Sequence, residues 1–315
     1  PLLPVTRGRA WHGGGLAHLT FWLLQAGSIL VVLGFWLSWG SVLGAGWGVV
    51  ALGAGLFGFN LILRGSSAQP DPIIGRYVTG GYLALLAALS LASLRIGGML
   101  GLWRIDQRAM IATHFHLAGL GFATGVGVGV GSRMLPMFLV SHGSPRWPLR
   151  WLGPIGVAGL TLFTVGQFSQ HRIVILIGGS LMAISAGVYL VLVGCYFRNR
   201  ARRTLDPGLA HVTAAVLFLA VTIFVGLGLL HASGFAPRMW AAYATLALLG
   251  WLTLLIVGVL YKIVPFLAWL HLFGPRARSA PPPPLGHPAR QAVARPPPAA
   301  PPPRAPLPIS GSSHR

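Results

Sequence analysis

Eight stretches of this chain run for 20 residues or more without a single acidic residue: 16–38, 42–63, 78–100, 110–139, 150–169, 173–197, 209–231 and 239–270. A helix rises 1.5 Å per residue, so about 20 mostly apolar residues cross a hydrocarbon core of roughly 30 Å. The gaps between the stretches hold the prolines, serines and charges that break helices. Composition agrees, with 54% of the residues hydrophobic and 8% charged. A water-soluble domain carries about 25% charge, and a chain of this size would lack the polar surface to cover itself. The expected fold class is all-α: a polytopic membrane protein of eight transmembrane helices.

The net charge of +20, from 23 basic and three acidic residues, resembles a nucleic-acid footprint only until its distribution is read. Arg7 and Arg9 precede the first stretch, and Arg64 and Arg76 flank the second loop. Arg133, Arg146 and Arg150 surround the fourth loop, and Arg198, Arg200, Arg202 and Arg203 the sixth. The first loop has no basic residue, the fifth has Arg172 and the seventh Arg238. Only the third departs, with Arg104 and Arg108 around Asp106. Basic loops stay cytoplasmic. Both termini are therefore expected inside a bacterial inner membrane, with the lipid bilayer rather than nucleic acid as the partner.

From Leu272 the chain changes character. These last 44 residues hold 14 of the 25 prolines and six arginines, a composition that cannot bury a core. The expected organisation is a cytoplasmic arm over 1–15, membrane helices over 16–140 and 145–271, and a disordered proline- and arginine-rich tail over 272–315.

The two membrane parts repeat. Shifted by 129 residues, His114–Pro136 overlies Tyr243–Pro265 with nine identities in 23 positions and no gap. Leu117/Leu246, Ala118/Ala247, Gly121/Gly250, Thr124/Thr253, Gly129/Gly258 and Pro136/Pro265 are among them. Because a four-helix unit is even, the two copies would enter from one side, as parallel repeats about an axis along the membrane normal.

Little is left to carry chemistry. The lone Cys195 excludes a disulfide framework, a cysteine-held metal and a CxxCH haem attachment. Glutamate is absent and the acids are Asp71, Asp106 and Asp206, so paired-carboxylate chemistry is excluded too. The strings Gly-x-Gly-x-Gly are no dinucleotide fingerprint, since neither a strand nor an acid accompanies them. Gly121, Gly125 and Gly129 instead form GxxxG steps that let helices approach closely. What stands out is Thr113-His114-Phe115-His116-Leu117, in the outer third of the fourth helix, where polar residues are costly. Residues i and i+2 lie about 200° apart on a helix, so the two imidazoles face opposite flanks and cannot chelate one ion together. Each can reach a different cofactor, or simply hydrogen-bond across helices.

In these residues the chain resembles the catalytic subunit of haem-copper oxidases and nitric oxide reductases. That family carries a His-x-His pair, commonly His-Phe-His, with a proline 22 residues after the first histidine, as do His114, His116 and Pro136 here. The resemblance covers about 25 residues and implies haem-iron ligation by His114 and His116, on a helix running from outside to inside. It also implies four-helix arcs, of which this chain would supply two of three. Haem b is the implied cofactor, and respiratory oxidase or reductase subunits the implied partners. Arg95, Arg104 and Arg108 lie at the same outer level, where guanidinium groups can pair with haem propionates or snorkel to headgroups. His231, at the outer end of the seventh helix, is the other intramembrane histidine at that depth, a second ligand or an interfacial anchor. The chain departs from the family at Tyr243, where a low-spin haem ligand would stand, and has no His-His or His-Pro-Glu segment. No copper site is apparent. The expected function is electron transfer in bacterial respiration or denitrification. The alternative is a transporter or cofactor-delivery factor for terminal oxidases.

Overall fold

The computed structural model describes residues 14–65, 72–104, 106–143, 145–201, 204–232 and 237–273. Arg7, Arg9, Asp71, Arg202, Arg203 and the tail beyond Phe273 lie outside them, as does most of the expected 1–15 arm. Among the described residues there is no strand, only one antiparallel bridge between Ser141 and Arg200. Eight helices are long and apolar enough to cross a membrane. They are α1 (Gly14–Trp36), α2 (Gly40–Gly65), α3 (Pro72–Met99), α4 (Gln107–Leu139), α5 (Pro148–Ser169), α6 (Arg172–Arg198) and α7 (Pro207–His231). The last, α8, runs through Pro237–Thr245, Leu246–Thr253 and Leu254–Phe273.

The helices begin where local chemistry starts them. Asp106 caps α4 by accepting from the backbone N–H of Arg108 at 2.8 Å and of Ala109 at 3.4 Å. Asp206 caps α7 through Leu209 N–H at 3.1 Å, with Pro207 in the first turn. Both acids that the structure describes thus satisfy orphan helix-terminal donors. Helix α3 starts at Pro72, six residues before the apolar stretch, because proline's fixed φ suits a first turn. Two helices end on a left-handed residue, Val140 after α4 and Gln170 after α5.

Among the described residues, those up to Tyr261 belong to one compact unit and those from Lys262 to a second. Within the first unit α1 packs along α2 and α5 along α6, while α3 packs on α4 and α7 on α8. The pairing order of the first four helices therefore recurs in the next four. Helix α4 sits at the centre and also meets α5, α6 and the middle of α8. Glycines allow these approaches: a Cβ on Gly159 would stand 2.8 Å from Met182 N, and one on Gly27 2.7 Å from Val50 N. Such small-residue contacts drive association where lipid tails compete equally for apolar side chains. Buried side chains concentrate on α4 to α8, with Leu139, Leu149, Leu192, Val193, Tyr196 and Leu209 at 2% exposure or less. Outside, the surface is apolar: Trp36, Phe224, Ile173 and Val191 are each at least 70% exposed. Water would not tolerate that surface, and a bilayer does.

Candidate functional site

Helix α4 is not α-helical throughout. Residues Leu117–Thr124 wind as a π-helix between two α segments, and in α8 Leu246–Thr253 do the same. The two segments lie 129 residues apart, the offset of the sequence repeat, and share Leu-Ala-x-Leu-Gly-aromatic-x-Thr. π segments are rare and frequently mark functional sites. They touch each other, and Trp251 Nε1 donates to Thr124 Oγ1 at 2.9 Å between them.

The two histidines stand just before the first π segment and face different neighbours. His114 Nδ1 lies 2.9 Å from the Ala88 carbonyl on α3. His116 Nδ1 lies 2.8 Å from the carbonyl of Ala112, one turn back on its own helix, and its Nε2 lies 3.2 Å from Tyr243 Oη on α8. A carbonyl only accepts, so each Nδ1 carries the proton and each Nε2 is the acceptor. Tyr243 therefore donates to His116 Nε2. Nε2 of His114 has no partner among the described residues. The opposed orientation is what two-residue spacing on a helix requires.

His116 is 8% exposed, packed against the Phe163 ring at 4.6 Å and stacked near Tyr243 at 5.9 Å. It lines a cavity of about 120 Å³ enclosed by α4, α5, α6, α7 and α8. Met182, Leu219, Ile223, Leu227 and Leu252 make most of the wall apolar, with Thr124 and Trp251 about two turns from His116. Gly226 on α7 admits the Tyr243 ring: a Cβ there would be 3.0 Å from Tyr243 Cε2. Trp240 and Leu248 also line the cavity and are 43% and 44% exposed, so it reaches the apolar outer surface at α8.

The other residues singled out by sequence are scattered. Arg95 lies on α3 seven residues beyond Ala88, on the same helix face and about 10 Å further toward the end of α3. Its Nε is buried without a hydrogen-bond partner. Arg104 and Arg108 are exposed. His231 is exposed with Nδ1 2.9 Å from the Leu227 carbonyl, and does not line the cavity. No cluster of three or more His, Cys, Asp or Glu side chains suited to a metal ion occurs among the described residues. Sequence reasoning placed Tyr243 only as a departure from the family pattern, and gave Trp251 and the π segments no role. The density of identities in 117–124 and 246–253 was the available signal. Compared with known proteins, the chain matches no protein family, no curated sequence and no solved structure.

Proposed function

We propose that this is a haem-binding membrane protein similar to the oxidase catalytic subunit, reduced to two parallel four-helix repeats. The recurrence of both the helix pairing order and the π segments supports the duplication. The loop arginines support cytoplasmic termini in a bacterial inner membrane.

The observation that carries the haem reading is the state of His114. A ligating histidine almost always donates its other ring N–H to a carbonyl or carboxylate, which fixes the tautomer. His114 does so to Ala88 and leaves Nε2 unpaired. Arg95, with an orphaned buried Nε on the same face of α3, is the group that would hold a propionate. His114 and Arg95 are the residues on this flank that would hold a haem, which when bound would supply one-electron redox chemistry. At His116 the same role would require Tyr243 to give up Nε2.

An optical spectrum of the protein purified after haem supplementation tests this. A Soret band that disappears in His114→Ala supports it, and a colourless protein or a band indifferent to both His114→Ala and His116→Ala ends it. A second reading, a transporter or cofactor-delivery factor without redox chemistry of its own, rests on the recurring helix pairing and the glycines at its helix contacts. A deletion strain whose oxidase activity returns with added haem or copper would favour that one.

A further inference from the structure

We propose that the cavity beside His116 and Tyr243 binds a small, neutral, lipid-soluble hydroxyl compound, an alcohol or phenol, drawn from the bilayer. The inference goes beyond the haem reading and stands without it.

The hydrogen bonds fix what the cavity can recognise. His116 Nδ1–H is committed to the Ala112 carbonyl, which makes Nε2 an acceptor for Tyr243 O–H. That proton being spent, the vacant position in the chain is the acceptor lone pair on Tyr243 Oη, which has no other partner among the described residues. A ligand that donates a hydrogen completes the series ligand O–H to Tyr243 O–H to His116 to Ala112. Chains of this kind strengthen each member in a low-dielectric interior. At Tyr243 a ligand that only accepts would have to displace the existing bond.

The rest of the cavity selects the ligand's body. Its wall is mostly apolar, and Thr222, the polar residue on the α7 side, donates to the Phe218 carbonyl at 2.7 Å. Thr124 is engaged by Trp251. A void of about 120 Å³ is of the order of the cavity of ~150 Å³ that takes up benzene or xenon. One ring or a short branched chain fills it. Entry past Trp240 and Leu248 is from the apolar surface, so the ligand is one that partitions into lipid. A charged ligand is excluded by the cost of leaving water without a counter-charge.

The test uses the full chain in lipid nanodiscs, titrated with para-fluorophenol and followed by fluorine NMR against empty nanodiscs. Saturable binding above the lipid background is expected, with para-fluorotoluene and para-fluoroanisole about tenfold weaker at equal lipid-phase concentration. Tyr243→Phe keeps the ring but frees His116 Nε2 to accept the ligand's O–H, so the preference is expected to survive it and to be erased only in Tyr243→Phe combined with His116→Leu. Ala183→Leu and Ala186→Leu, which fill the cavity from α6, are expected to abolish binding. Phenol uptake equal to that of empty nanodiscs overturns the proposal. Equal binding of the toluene overturns the hydroxyl recognition, and unchanged binding in both filled variants overturns the location. None of these outcomes touches the His114 Soret band, so the two readings fail separately.

Discussion

The indole N–H of Trp251 donates to Thr124 Oγ1 at 2.9 Å, joining the π segment of α8 to that of α4. Both side chains are buried, at 3% and 7% exposure, so neither can exchange its partner for lipid-excluded water. Thr124→Val should therefore lower stability by about 1–3 kcal/mol, because the indole donor is left buried and unpaired. Trp251→Phe in the same background should add less than it does alone. Thermal unfolding of the four proteins in one detergent gives the coupling, and full additivity would deny that the bond links the segments.

Arg95 is half-buried, with an unpartnered Nε, on the face of α3 that His114 meets. If it holds a propionate, Arg95→Leu should lower the haem retained after purification several-fold, while Arg95→Lys should keep part of it. Equal haem content in all three proteins, read from the Soret absorbance per mole, would remove Arg95 from the site.

The glycines separate into two classes that substitution should distinguish. A Cβ on Gly178 would collide with the backbone of Phe163, and one on Gly159 would meet Met182 N at 2.8 Å and Gly178 O at 2.9 Å. Ala at either should cost about 1–3 kcal/mol by forcing α5 and α6 apart. Gly187, Gly194 and Gly228 have nothing within 4 Å of a built Cβ. Ala there should be neutral or stabilising, by up to about 1 kcal/mol of helix propensity. Melting temperatures of the five variants check the ordering.

Asp106→Ala should destabilise by about 1 kcal/mol, since it uncaps α4 and removes the acceptor for Gln170 Nε2 at 3.2 Å. Asp106→Asn or Asp106→Ser should recover most of it, because capping needs a short side-chain oxygen. A variant series in which charge alone mattered would show no recovery with Ser.

Gly226→Ala tests how Tyr243 is seated. The added methyl would press on the ring at 3.0 Å from Cε2 and shift Oη relative to His116. A weakened para-fluorophenol signal with an unchanged melting temperature is the expected result.

Much of this molecule was legible in the sequence because one physical rule dominates it. A backbone in hydrocarbon must satisfy its own hydrogen bonds, so eight long apolar runs without acids read directly as eight spanning helices. Several helix starts moved to where caps and prolines act, as at Pro72, Pro148 and Pro207, and the other bounds by three residues or fewer. The opposition of His114 and His116 was equally accessible, because spacing on a helix fixes direction. The remaining distinctions needed tertiary structure. Nothing in the string shows that Tyr243, 127 residues from His116, donates to its Nε2, or that His114 keeps the corresponding nitrogen free. Nor does periodicity reveal the π segments, because the same residues suit an α-helix and the winding shows only in the hydrogen-bond register. The sequence by itself determined the environment and the number of crossings. Packing decided which of two equivalent histidines faces a cavity and which keeps Nε2 unpaired, since that depends on the neighbouring helix each one meets.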